Sequence, residues 1–197
     1  ISISDPYPSM TERPISLLED REGNIWWADP SVNDKGVYRF DQETERLDHF
    51  AHDPEDPNSL PYNEMRHIFR DRSDNLWFSS DGGTLALFNF DSNNFKRYPE
   101  FGDHSITSMG QDEEGNYYFG TYSTVGLLKV GKDLKSFETF GEEKGLLHND
   151  ILITNRPPNY LVRGNSGRFY LTTYRGLSIF DPGSESFRNF TDTDGFF

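Results

Sequence analysis

Apolar and polar residues alternate in runs of about five along most of the chain, with Gly, Asn, Asp and Pro between the runs. A two-residue period of this length predicts half-buried strands joined by turns. One landmark occurs four times. It reads Asp20-x-x-Gly23-Asn24-Ile25-Trp26-Trp27, then Asp71-x-x-Asp74-Asn75-Leu76-Trp77-Phe78, then Asp112-x-x-Gly115-Asn116-Tyr117-Tyr118-Phe119, and last Gly164-x-x-Gly167-Arg168-Phe169-Tyr170-Leu171. A second apolar run follows in each copy: Gly36 to Asp41, Leu85 to Asp91, Gly126 to Val130 and Gly176 to Asp181. A third closes it: Leu47 to Phe50, Phe95 to Tyr98, Phe137 to Phe140 and Phe187 to Phe190.

Repeats at this interval, roughly 40 to 50 residues, mark an array of supersecondary units. Each unit here predicts an antiparallel meander of three or four strands. The Asp-x-x-Gly-Asn segment is read as the turn between first and second strands, because Asp bonds the following backbone and Gly or Asn accepts the left-handed conformation of the bend. A sheet of this size cannot bury both faces alone, whereas sheets arranged radially bury each other's. The expected fold is therefore all-β: about four four-stranded antiparallel blades of a β-propeller, spanning 14–51, 63–99, 105–141 and 149–191 within a single segment 1–197. Trp27, Phe78, Phe119 and Leu171 are expected between blades, and Trp26 and Trp77 in the core.

Composition narrows the partners. Aromatic residues make up 15% of the chain, too many for a solvated tail. Nineteen Lys and Arg against 33 Asp and Glu give a net charge of −14, which argues against nucleic acid and anionic lipid. Cysteine is absent, so disulfides, thiolate metal sites and cysteine nucleophiles are excluded. No run approaches the 18 or so apolar residues of a membrane helix. The first residues show neither an initiator Met nor a signal peptide, and the sequence is expected to be part of a longer protein.

The stretch Asp53-Pro54-Glu55-Asp56-Pro57-Asn58-Ser59-Leu60-Pro61-Tyr62-Asn63-Glu64-Met65-Arg66-His67-Ile68-Phe69-Arg70-Asp71, with Asn75-Leu76-Trp77-Phe78, resembles the two-component regulator propeller repeat. Gly145-Leu146-Leu147-His148-Asn149 is similar to the segment that leads into a blade of that family. The resemblance implies a larger, seven-bladed propeller in the periplasmic or extracytoplasmic sensor region of a hybrid histidine kinase, anchored in a membrane elsewhere in the parent. It implies ligand sensing without catalysis in this segment, although the parent carries kinase activity. The chain departs from the pattern at the fourth copy, where Arg156-Pro157-Pro158-Asn159 falls between Asn149 and Gly164. Two prolines cannot sit in a central strand, so the first strand of that blade is expected to be interrupted or displaced.

Enzymatic signatures are missing: there is no phosphate-cradling loop, no His-Glu-x-x-His and no Gly-x-Ser-x-Gly. The paired acids Glu113 with Glu114 and Glu142 with Glu143 read as solvated charge. Asp48-His49-x-x-His52-Asp53 offers metal-ligand types, but His49 is expected to alternate outward on an outer strand while His52 falls in the following loop, and the Asp-x-x-Gly-Asn turns lack the distal Glu of a calcium loop. No metal or cofactor is expected. Asn189-Phe190-Thr191 fits a glycosylation sequon and reads instead as a strand end. Binding is expected where loops converge on one side of the propeller: Asp29, Asn33, Asp81, Tyr122, Tyr174 and Arg175 on the turns between second and third strands, with Asn63, His148 and Asn149 on the leading segments. Aromatic faces beside amide and carboxylate groups suit an oligosaccharide. The alternatives are a scaffold for protein interaction or for a homodimer, with neighbouring blades of the parent covering the ends, and, less favoured, a propeller lyase or hydrolase.

Overall fold

Sixteen strands account for nearly all of the regular structure in a computed structural model that describes residues 16–29, 36–80, 84–102, 104–122, 125–151 and 161–195. They form four sheets, each a meander in chain order. Blade 1 contains β1 (Ser16–Glu19), β2 (Ile25–Asp29), β3 (Gly36–Asp41) and β4 (Arg46–Phe50). Blade 2 contains β5 (Met65–Arg70), β6 (Leu76–Ser80), β7 (Leu85–Asn89) and β8 (Asn94–Tyr98). Blade 3 contains β9 (Ser105–Gln111), β10 (Tyr117–Tyr122), β11 (Leu127–Val130) and β12 (Phe137–Phe140). Blade 4 contains β13 (Leu161–Arg163), β14 (Phe169–Thr173), β15 (Gly176–Asp181) and β16 (Ser186–Phe190). First strands of neighbouring blades lie against one another, so strand one of each blade is innermost.

The landmark is the turn between first and second strands, and its aspartate organises more than the turn. Asp20 accepts hydrogen bonds from the Glu22 and Asn24 backbone N–H groups at 2.8 and 2.9 Å and from the Trp26 indole at 2.6 Å. Asp71 repeats this with Ser73, Asn75 and Trp77, and Asp112 with Asn116 and the Tyr118 hydroxyl. All three aspartates are buried. A carboxylate there is tolerable because its oxygens are saturated with donors. Blade 4 has Gly164 and Arg168 instead of the Asp and Asn. Its turn is closed by backbone alone, with Gly164 N–H donating to the Arg168 carbonyl at 2.9 Å and Gly167 at a φ of +83°.

Blades meet through aromatic seams. Trp26 on blade 1 packs against Phe78 and Phe88 of blade 2, with ring centroids 5.5 and 4.7 Å apart. Trp77 meets Tyr117 of blade 3 at 5.5 Å, and Tyr118 meets Phe169 of blade 4 at 4.4 Å. Each fully buried large side chain of this kind contributes about 1.5–3 kcal/mol. Phe78, Phe119 and Leu171 lie in these seams fully buried, as expected between blades, while Trp27 is only half-buried. Trp26 and Trp77 are core residues and belong to the seams as well. β13 spans Leu161–Arg163, and the proline-containing stretch before it, on which the expectation of an interrupted or displaced first strand falls, lies outside the described residues.

Candidate functional site

Antiparallel register decides which loops share a side. The start of each first strand pairs with the end of the second, as in Ser16 with Ala28, Met65 with Ser80 and Ser105 with Tyr122. Leading segments and second-to-third-strand turns therefore lie together. Asp29 ends β2, Tyr122 ends β10 with its ring exposed, and Asn33 and Asp81 lie outside the described residues. Asp29 and Tyr122 thus belong to blades 1 and 3.

Asn63 and Asn149 hold equivalent places, and both carboxamide oxygens are engaged by backbone. Asn63 Oδ1 accepts from the His52 N–H at 2.6 Å, and Asn149 Oδ1 accepts from the Glu142 N–H at 2.9 Å. Each pins the leading segment of one blade to the chain leaving the blade before. His52 donates from Nδ1 to the Leu60 carbonyl at 2.7 Å, since a carbonyl can only accept, so this nitrogen carries the proton. Asp48 pairs with Arg39 and Arg46, and His49 stacks on Tyr38 on the opposite face of the sheet. The Asp48 to Asp53 cluster is thus divided between two faces and a loop.

Blade 4 is where sequence-predicted residues meet. Leu147, Thr173, Tyr174, Arg175, Thr191 and Asp192 line a cavity of about 520 Å³. Tyr174 is 74% exposed at its edge. The His148 ring stands 5.7 Å from the Tyr174 ring and accepts the Asp150 N–H at Nδ1 over 3.0 Å. That places the proton of the neutral imidazole at Nε2. The Tyr174 N–H donates to the Asp150 carbonyl at 3.2 Å, and Ile151 N–H donates to the Thr121 carbonyl at 2.9 Å, so the leading segment is fastened to blades 3 and 4 at once. Gly176, at a φ of +139°, closes the floor, where an added Cβ would lie 2.3 Å from the Phe190 carbonyl oxygen. Leu147, Thr191 and Asp192 escaped the sequence reading, although Leu147 adjoins His148 and Asp192 opens the Asp-x-Asp-Gly turn.

A second cleft, about 420 Å³, opens between blades 3 and 4 on the opposite side. Its cations are already paired: Arg163 with Glu113 at 3.0 Å and Arg168 with Asp181 at 2.9 Å, while Lys129 reaches Glu185 at 2.7 Å. The Tyr174 recess, by contrast, offers Arg175 with no ion pair among the described residues. Among those residues, no group of three or more His, Asp or Glu side chains is placed to hold a metal ion. No helix among them is long and apolar enough to cross a membrane.

Residues 59–82 match the family described as two component regulator propeller, and the chain carries a repeat of that family. The matched stretch runs from the segment leading into blade 2 through β6. No curated protein matches the chain. The fold is similar to the extracellular domain of a hybrid two component system of B. thetaiotaomicron, with a TM-score of 0.71, 19% identity, and coverage of 89% of this chain and 24% of that one. A second such domain of the same organism gives 0.67 and 18%, covering 90% and 30%. Virginiamycin B lyase from Staphylococcus aureus gives 0.64 and 10%, covering 90% and 55%. The chain therefore spans less than a third of the length of the two sensor domains. At these identities the likeness is one of fold.

Proposed function

We propose that this chain is a non-enzymatic segment of an extracytoplasmic sensor propeller in a two-component signalling protein, and that it binds a neutral oligosaccharide at the Tyr174 recess. The repeat at residues 59–82 and the fold shared with extracellular sensor domains support the sensor reading. The exposed Tyr174 ring supports the sugar: an amphipathic aromatic face can cover the apolar C–H face of a pyranose while Arg175, Asp192 and His148 Nε2–H reach its hydroxyls. The net charge of −14 favours neutral over acidic glycans. Occupation would fix the turn at Thr173 to Gly176 and the segment Leu147–Ile151 together, since Tyr174 and Asp150 already share a hydrogen bond.

Titration calorimetry of a broad panel of neutral and acidic oligosaccharides against the wild type and Tyr174→Ala tests this. A neutral glycan that binds the wild type and binds the variant at least tenfold more weakly, with an unchanged thermal melt, is the expected result. Absence of heat from every glycan overturns the oligosaccharide, and equal affinity for the two proteins overturns the site.

A further inference from the structure

Blades 3 and 4 leave their second strands in the same way. β10 closes on Thr121 and Tyr122, and β14 closes on Thr173 with Tyr174 next in the chain. In each blade the buried threonine hydroxyl donates to the carbonyl of the glycine that leads back into the third strand, Gly126 at 2.8 Å and Gly176 at 3.1 Å. The two tyrosines therefore hold equivalent places on adjacent blades, where the sequence has Pro30 in the first copy and Asp81 in the second. Both are exposed, Tyr122 by 45% and Tyr174 by 74%. Tyr122 keeps that exposure although blade 3 has a neighbour on each side and the segment leading into blade 4 is bonded to Thr121 beside it.

A single peptide group joins the two places. The Ile151 N–H donates to the Thr121 carbonyl at 2.9 Å, and the carbonyl of the same peptide, that of Asp150, accepts the Tyr174 N–H at 3.2 Å. Across a trans peptide the N–H and C=O point in opposite directions, so blade 3, the leading segment and blade 4 make a local three-chain ladder. The backbones at Thr121 and Tyr174 are then two inter-strand spacings apart, about 10 Å. On the reading of the Tyr174 recess as an oligosaccharide site, on which this rests, we propose that Tyr122 is a second sugar-binding residue and that the ligand is a linear neutral chain lying across the Asp150–Ile151 peptide from one tyrosine to the other. Two rings rooted about 10 Å apart exceed the reach of one pyranose, so a single sugar covers one of them and a chain of about three or more covers both. A tyrosine adds such contact area at little conformational cost, having only two rotatable side-chain bonds. The chain bridges blades 3 and 4 over the one peptide that already ties them together.

Titration calorimetry with cello-, xylo-, malto- and laminari-oligosaccharides graded from one to six residues, on the wild type, Tyr122→Ala, Tyr122→Phe and Tyr174→Ala, tests this. In the series that binds, affinity for the wild type is expected to rise about tenfold from disaccharide to tetrasaccharide, the size of one added aromatic contact. Tyr122→Ala, with an unchanged thermal melt, is expected to abolish that rise and to leave disaccharide affinity as it was, whereas Tyr122→Phe keeps the rise. Tyr174→Ala is expected to weaken every length. Affinity that does not grow with length, growth that survives Tyr122→Ala, or equal weakening of disaccharide and tetrasaccharide by that variant overturns the role of Tyr122 and leaves the Tyr174 recess standing. Absence of heat from all four series overturns the sugar itself, and the role of Tyr122 with it.

Discussion

Removal of the Asp71 carboxylate should cost far more than the loss of a surface turn. Its oxygens accept from the Ser73 and Asn75 backbone N–H groups and the Asn75 side chain at 2.9 Å, from the Trp77 indole at 3.0 Å, and across the seam from the Tyr117 hydroxyl at 3.1 Å. Burial and the charge of Asp71 raise the Tyr117 phenol well above its ordinary value, which keeps it a donor. Asp71→Ala leaves the indole and phenol buried without an acceptor. At about 1–3 kcal/mol for each unsatisfied group, with the turn loosened as well, the expected loss is about 3–5 kcal/mol. That is a large fraction of a total stability of about 5–15 kcal/mol. Urea unfolding followed by tryptophan fluorescence and by circular dichroism measures it, coincident transitions licensing a two-state treatment. Tyr117→Phe combined with Asp71→Ala should show a coupling of about 0.5–3 kcal/mol, as for two groups in direct contact. Acid provides a further check. Burial raises the Asp71 pKa, but the hydrogen bonds from Trp77, Asn75 and Ser73 outweigh it, so the folded value lies below the ordinary one. The stabilisation is therefore complete above the unfolded value of about 3.9 and is lost as pH falls through the folded value. The gap between wild type and Asp71→Ala should narrow only below about pH 4. A loss under about 1 kcal/mol at neutral pH, or no coupling to Tyr117, would refute the reasoning.

Three further outcomes follow from the same structure. Gly110 faces blade 4, and an added Cβ would lie 2.7 Å from both Leu161 Cδ2 and the Phe169 ring; Gly110→Ala should cost about 1–3 kcal/mol by overpacking, read as a lower urea midpoint. Restoring the missing carboxylate with Gly164→Asp and Arg168→Asn should raise the midpoint by about 1 kcal/mol, provided that Tyr170, whose ring lies 2.7 Å from the new Cβ position, swings to donate as Tyr118 does to Asp112; a drop would show that the turn cannot accept it. Burial, with the neighbouring charge of Arg66, pushes the His67 pKa down from 6.5 to about 4. The unfolded chain takes up this proton first, so stability present above pH 6.5 is lost between pH 6.5 and about 4, and His67→Gln should flatten that slope in pH-dependent melts.

The array was legible because period-2 runs and the Asp-x-x-Gly-Asn turn are local signals repeated in four copies. What the aspartate does was not. Its bond to Trp26 or Trp77 depends on a side chain six residues on, across a hairpin whose register only the folded sheet sets. Both faces of every internal blade are buried, so alternation could not separate Trp26 from Trp27: one is sealed by blade 2, and the other lies half-buried on the open face of blade 1. At the candidate site, spacing placed Tyr174, Arg175 and His148 on one side of the molecule. Leu147, Thr191 and Asp192 join them because two leading and leaving segments, far apart in sequence, converge on one blade.

Blade 4 carries the Tyr174 recess. In a stacked array each unit is stabilised by its own structure and by its neighbours' faces. Blade 4 lacks the buried aspartate and leaves Tyr170 37% exposed. Blade 3 has the aspartate and neighbours on both sides. Backbone amides of β13 and β14 should therefore exchange with deuterium faster than those of β9 and β10, since local opening is easiest where fewest contacts hold a strand. A ligand ordering the Thr173 to Gly176 turn stabilises β14 and β15, the strands that carry Tyr170 and Ile179 of the open face. Exchange measured with ligand alone should show the slowing spread from Tyr174 into Tyr170 and Ile179. Slowing confined to the turn would refute the spread of order from the recess into β14 and β15.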